Sequence, residues 1–311
     1  MKENSFKTFV DEYAKSLKVR NLGKRTITGA CWKLEKFIIW LAKNEIMHID
    51  GINKEIIRSY QIELYQCINF KGAPNAVSYQ NNMLSAVKQF IRFLHDRDYI
   101  VSDPAKDIQY AKQPKRLPRS VLTPSEARKI IHAPDTKTVI GYRDRTILEV
   151  MYSSGIRKEE VNSLTLADVD YNDGFLRIIE GKGKKDRIVP IGRIACRYLE
   201  NYIKSVRPEL IKDPYNNHLF LSLRGGRLSK NMVWELVKKY AKKAKIRKNV
   251  HPHTFRHSCA TLMLKNKADL RTIQKLLGHT SLTSTQVYTH LSITDLKEVH
   301  KKCHPREKDK E

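Results

Sequence analysis

Three prolines fall within residues 103–120, in Asp103-Pro104, Gln113-Pro114 and Leu117-Pro118, and they constrain this chain more than any other feature. Proline removes a backbone donor and steers the residue before it away from helix. The stretch therefore predicts a break in an otherwise periodic chain, with a folded part on either side. Lys112, Lys115, Arg116 and Arg119 make it basic. Such a segment suits a strap across a phosphate backbone, and it equally suits a solvated connection between domains. The expected division is a helical domain over 1–110, a linker over 111–120 and a second domain over 121–311.

Ahead of the linker, apolar residues follow helical spacing. Ile27, Ala30, Leu34, Phe37, Ile38 and Leu41 form one stripe, Ile57, Tyr60, Leu64 and Ile68 another, and Met83, Val87, Phe90 and Leu94 a third. With a weaker segment near residues 4–17, these make four amphipathic helices, enough for a small bundle. Asn53 is placed to cap the third helix, and Gly72-Ala73-Pro74 separates it from the fourth.

Beyond the linker, Thr123-Pro124-Ser125-Glu126 supplies an N-cap, a proline at the first helical position and the glutamate of a capping box. Helices are expected over 124–132 and 141–153. The β-branched runs at 175–179 and 187–191 flank Gly181-Lys182-Gly183-Lys184-Lys185-Asp186 and read as a hairpin. From about residue 192 the pattern is helical again, ending in a charged tail from Arg306. The fold class is mainly α with a small β-sheet, the second domain being α+β.

Charge narrows the function. The 311 residues carry a formal net charge of +26, and the excess is uneven. Residues 1–113 hold 18 Lys and Arg against 12 Asp and Glu, whereas the remainder holds 41 against 21. So large an excess points to a polyanion, most simply nucleic acid, although a ribosomal or anionic membrane surface fits the number alone. Cys31, Cys67, Cys196, Cys259 and Cys303 are odd in number and scattered, which suits free thiols in a reducing compartment. No apolar core follows Met1-Lys2-Glu3-Asn4-Ser5, and no run is long enough to span a bilayer. A soluble cytoplasmic protein, associated with the nucleoid, is expected.

A phosphodiester attacked at phosphorus gathers charge on its non-bridging oxygens, and the planar fork of guanidinium matches them. Arg157 in Ser153-Ser154-Gly155-Ile156-Arg157 and Arg256 in His253-Thr254-Phe255-Arg256 are candidates, though a lone arginine is usually a surface charge. His253 and Arg256 are three apart on a helix opened by Pro252 and so share a face. His253, His257 and Cys259 also allow a metal reading, but no fourth ligand stands at structural-zinc spacing. Lys182 lies between two glycines of the hairpin turn, where a desolvated ammonium can protonate a leaving oxygen; the plainer reading is a flexible basic turn. Asp269 is placed to cap a helix carrying Leu270, Ile273, Leu276 and Leu277, with Gly278 as its left-handed end. His279 then falls just past that helix, and Tyr288, nine residues on, falls on the next short one. Residues 269–290 also fit a helix-turn-helix that only reads DNA, with Tyr288 an ordinary half-buried aromatic.

Taken in order, Arg157, Lys182, His253-x-x-Arg256, His279 and Tyr288 resemble the six active-site positions of the tyrosine recombinase (phage integrase) family, especially its Xer-type members. Leu276-Leu277-Gly278-His279 and Tyr288-Thr289-His290 fit the family's motifs, and the resemblance extends weakly into residues 1–113. Lys158-Glu159 replaces the commoner apolar-Ser pair, with Glu160 matching, and Phe255 stands where Leu is usual; neither change removes a reactive group. The resemblance implies an N-terminal SAM-like core-binding domain and a C-terminal catalytic domain closing as a C-shaped clamp on double-stranded DNA. It implies Tyr288 as nucleophile, giving a 3′-phosphotyrosyl enzyme, with Arg157, Arg256 and His279 on the phosphate, Lys182 as general acid and His253 assisting proton transfer. Lys112, Lys115, Arg116, Arg119, Lys184, Lys185 and Arg187 are the expected DNA-contacting cations. No cofactor and no metal are expected. A homo-tetramer on two DNA sites is, or a hetero-tetramer with a related recombinase, the stripe Leu291, Ile293, Leu296 and Val299 docking on a neighbour or on its own domain. A non-catalytic DNA binder of the same fold and a type IB topoisomerase are the alternatives.

Overall fold

In a computed structural model of the chain, residues 6–69, 72–113, 121–179, 186–229, 231–278 and 293–308 are described. They form two compact units, Met1–Arg116 and Leu117–Glu311.

The first unit contains α1 (Phe6–Val19), α2 (Lys24–Lys43), α3 (Lys54–Gln66) and α4 (Val77–His95). The stripes read from sequence meet in one core, where Phe9, Tyr13, Leu34, Phe37, Ile57, Tyr60, Val87 and Phe90 are buried. Asn53 caps α3, its side chain accepting from the Ile56 N–H at 3.0 Å. The α3 stripe is shorter than its spacing predicts. The helix stops at Gln66, and Ile68 is 67 % exposed and bridges Pro74 instead. Local bonds take over there: the Asn69 N–H donates to the Ala73 carbonyl at 2.8 Å, closing a turn that a further helical residue would break.

The second unit is built around α6 (Val139–Ser154), which is buried on nearly every side. Ahead of it lies α5 (Pro124–Ile131), with the expected capping box between Thr123 and Glu126. After it come α7 (Lys158–Ser163) and an antiparallel sheet of β1 (Val169–Asp170), β2 (Phe175–Ile178) and β3 (Arg187–Pro190) in that order. Leu176 opposes Val189, and both are fully buried, so one face of the hairpin closes the core. Ile179 lies beyond β2 and is exposed, and β1 is an addition to the expected hairpin. The chain continues through α8 (Arg193–Asn201), a π-turn at Tyr202–Val206, α9 (Arg207–Leu210), α10 (Met232–Lys243), α11 (Pro252–Lys265) and α12 (Leu270–Leu277).

The C-terminal segment, α13 (Ile293–Cys303) and a short 3-10 turn (Pro305–Lys308), packs on its own unit. The charged tail read from Arg306 onward is corrected at its start: Arg306 is 3 % exposed and forks onto Glu149, with Nε to Oε2 at 3.0 Å and Nη2 to Oε1 at 2.6 Å. Arg145 donates to the same carboxylate at 3.0 Å, so Glu149, buried in α6, is paired twice. His300 Nε2 donates to the Ser153 carbonyl at 2.7 Å and His304 Nε2 to the Tyr152 carbonyl at 3.0 Å, the two rings stacking 4.5 Å apart. All five thiols are free. Among the described residues, no helix is long and apolar enough to cross a membrane.

Candidate active site

Two glycines create the site by ending helices. Gly155 (φ +62°) terminates α6 in the left-handed conformation, and the chain then presents Arg157 as the N-cap of α7. A Cβ on Gly155 would lie 2.9 Å from Leu277 Cδ2, so the absent side chain lets the end of α12 approach the end of α6. Gly278 (φ +63°) terminates α12 in the same way.

The last carbonyls of a helix lack partners within it and carry partial negative charge. At α12 three arginines from three different elements supply the missing donors. Arg187, opening β3, reaches the Leu276 carbonyl through Nε at 3.4 Å. Arg256, on α11, donates through Nη2 to Leu277 and through Nη1 to Gly155 at 2.7 Å. Arg157 donates through Nη2 to Gly278 at 2.7 Å. Three consecutive carbonyls thus seat three guanidiniums, immediately before His279.

Glu160 ties two of these arginines together. Its Oε1 accepts from Arg157 Nη1 at 2.7 Å, and its Oε2 accepts from the Arg157 backbone N–H at 2.7 Å and from Arg187 Nη2 at 2.8 Å. Burial alone would raise its pKa, but the hydrogen bonds and charges of Arg187 and Arg157 hold it below the usual carboxylate value. Arg256 shows the opposite pressure: burial, together with the nearby charge of Arg157, lowers it to about 10. Three guanidiniums thus gather around one carboxylate. A partly desolvated cluster of guanidiniums is a seat for an anion.

His253 sits in the first turn of α11, exposed, with its ring 6.2 Å from that of His251. His257 is exposed while Cys259 is fully buried beside Met263, so these residues do not converge as metal ligands. Among the described residues no group of three or more His, Cys, Asp or Glu is arranged to hold a metal ion. Phe255, where leucine is commoner, is fully buried edge-on to Tyr152 at 6.0 Å. Lys112 is exposed. Lys115, Arg116, Arg119, Lys182, Lys184, Lys185, His279 and Tyr288 lie outside the described residues.

Arg187 is one of the cations expected to contact DNA. Its side chain is 8 % exposed and turned inward onto Glu160. Glu160 was legible as a match to a motif; its bridging of two arginines was not, because Arg187 is 27 residues away.

The profile of the Phage integrase family matches residues 120–294, more than half of the chain. Two similar proteins are named Tyrosine recombinase XerD. That of Staphylococcus haemolyticus is 36 % identical over 300 residues, covering 96 % of this chain and 99 % of the relative. That of Staphylococcus epidermidis is 37 % identical over 300 residues with the same coverage. Among solved structures, a lambda integrase dimer bound to a COC′ core site aligns with a TM-score of 0.67 at 18 % identity, over 93 % of this chain and all of that one. XerH recombinase bound to difH substrate aligns with a TM-score of 0.65 at 23 % identity, over 93 % of this chain and 82 % of that one. The structural likenesses bear on fold, and the sequence relatives, spanning nearly the full length, on kinship: the chain belongs to the phage integrase family and is a site-specific tyrosine recombinase.

Proposed function

We propose that Arg157 and Arg256 bind the scissile phosphate of duplex DNA, and that the remaining motif residues complete the reaction there. Tyr288 attacks phosphorus, forming a 3′-phosphotyrosyl bond and releasing a 5′-hydroxyl. His279 joins the two arginines on the non-bridging oxygens, Lys182 protonates the leaving oxygen, and His253 assists the proton transfer of the nucleophile. A 5′-hydroxyl from a second duplex then attacks the phosphotyrosine and restores the phosphodiester. The covalent intermediate conserves the bond, so strand exchange needs neither ATP nor a metal ion. Fixed cationic donors stabilise the charge that develops in the transition state. The observation that carries this reading is the seating of three guanidiniums on consecutive carbonyls at the end of α12, adjoining His279.

The wider assembly follows the same logic. The first unit acts as the core-binding domain and the second as the catalytic domain of a C-shaped clamp, the basic stretch at 111–120 crossing the DNA backbone between them. Four copies pair two DNA sites, as a homo-tetramer or with a related recombinase, on the nucleoid in the cytoplasm. The biological use is resolution of the Xer type or integration and excision of a mobile element.

Covalent capture tests the chemistry. The protein is mixed with sheared genomic DNA of its source without divalent metal and quenched with SDS, and the linked fragments are sequenced, with Tyr288→Phe in parallel. Discrete fragments joined through their 3′ ends by the wild type alone are expected. Equal capture by Tyr288→Phe overturns the choice of nucleophile, and scattered linkage favours a topoisomerase-like activity over recombination between sites.

A further inference from the structure

We infer that Arg187 is a positioning residue for strand cleavage: it holds Glu160 and the end of α12 together and thereby fixes the Arg157 guanidinium at the phosphate, without touching DNA itself. The inference rests on the proposed role of Arg157.

The geometry argues against the two plainer readings. As a DNA contact, Arg187 would be expected to turn outward from its strand, but it turns inward and spends one prong on Glu160 Oε2 at 2.8 Å. As a mere core bridge, it would not need to meet the same carboxylate that orients Arg157. Glu160 divides its oxygens between the two arginines, so the position of its carboxylate is set from both sides. The stem of Arg187 also lies flat on Gly278: a Cβ there would come within 3.1 Å of its Cδ, Nε and Cζ. Gly278 offers the carbonyl that Arg157 grips. Arg187 therefore touches both supports of Arg157, the carboxylate and the carbonyl-bearing residue. Reaching two acceptors on different elements suits a rigid fork and not the single ammonium of lysine.

The test compares wild type, Arg187→Lys, Arg187→Met, Glu160→Gln and the Arg187→Met/Glu160→Gln double variant. The readout is the rate of SDS-resistant linkage to sheared genomic DNA, at saturating DNA and at half-saturation. Thermal melting accompanies each protein, and Arg187→Lys, which keeps the charge, serves where the methionine variant folds poorly. Arg187→Met is expected to slow linkage at saturating DNA by about tenfold to a hundredfold, the worth of one charged hydrogen bond realised in the transition state. The half-saturating concentration should stay within about twofold, because no phosphate contact is removed. The double variant should be little slower than the worse single one, since both act through one contact. A pH series adds a readout that simple loss of packing does not move. Around Glu160 stand Arg157 from the start of α7, Arg187 from β3 and Arg256 from α11. Without Arg187, burial favours the neutral carboxyl, so linkage by Arg187→Met should recover as pH rises, and recovery should vanish in the double variant. An unchanged rate in Arg187→Met, a loss confined to the half-saturating concentration, or additive effects of the two substitutions would each overturn the inference. Absence of linkage by the wild type overturns the reading of the site beneath it, a result distinct from any of these.

Discussion

Gly278 answers two demands at one position. Its φ of +63° ends α12, and its bare Cα leaves room for the Arg187 stem. An alanine there takes on left-handed strain of about 1–2 kcal/mol and presses on Arg187 as well. Gly278→Ala is therefore expected to lower stability by about that amount in urea titration, and to slow covalent linkage by more than the stability loss explains. Normal linkage in a protein measurably destabilised would show that the seat tolerates displacement. Arg256 shows why such seats matter. Burial and a neighbouring guanidinium act against its charge, and the carbonyls of Gly155 and Leu277 offset that cost before any phosphate arrives.

Elements whose signals are local were legible in the sequence. Thr123 and Glu126 close their box at 3.2 and 2.8 Å, and Asp269 caps α12 by accepting from the Thr272 N–H at 2.9 Å. These contacts span three residues, so spacing alone reveals them. The end of α3 and the C-terminal segment were not legible, because their decisive partners compete locally or lie far off: Arg306 meets Glu149 across 157 residues. Polar residues near a terminus read as solvated surface, yet His300 and His304 are buried. His304 donates through Nε2 and accepts the Arg306 N–H through Nδ1 at 3.1 Å, an arrangement only the neutral ring satisfies. Burial lowers the pKa of both histidines, and for His304 the adjoining His300 lowers it further. The sign follows. With folded pKa values below the unfolded value of about 6.5, both rings are neutral in either state above that pH, and the unfolded chain binds the extra protons below it. Stability conferred by the docked segment is thus complete above about pH 6.5 and declines as pH falls toward the folded pKa values. Denaturation midpoints between pH 8 and pH 5 should drop more steeply for wild type than for a His300→Gln/His304→Gln variant. Parallel curves would place the acid sensitivity elsewhere, for instance at His218, whose pKa is also lowered by burial.

Across the whole molecule, charge is divided unequally: residues 114–311 hold 41 Lys and Arg against 21 Asp and Glu, and residues 1–113 hold 18 against 12. Binding that neutralises six to ten phosphates loses about a thousandfold or more in affinity between 50 and 200 mM salt. The full chain on duplex DNA is expected to show that dependence in fluorescence anisotropy, and a nearly flat response would mean that few of its cations meet phosphate. The three arginines at the end of α12 carry a different consequence. Their acceptors are main-chain oxygens, which every amino acid possesses. The support is stored in the path of the backbone, outside the alphabet that alignments compare, and replacing a peptide bond by an ester would expose it where side-chain scanning would not.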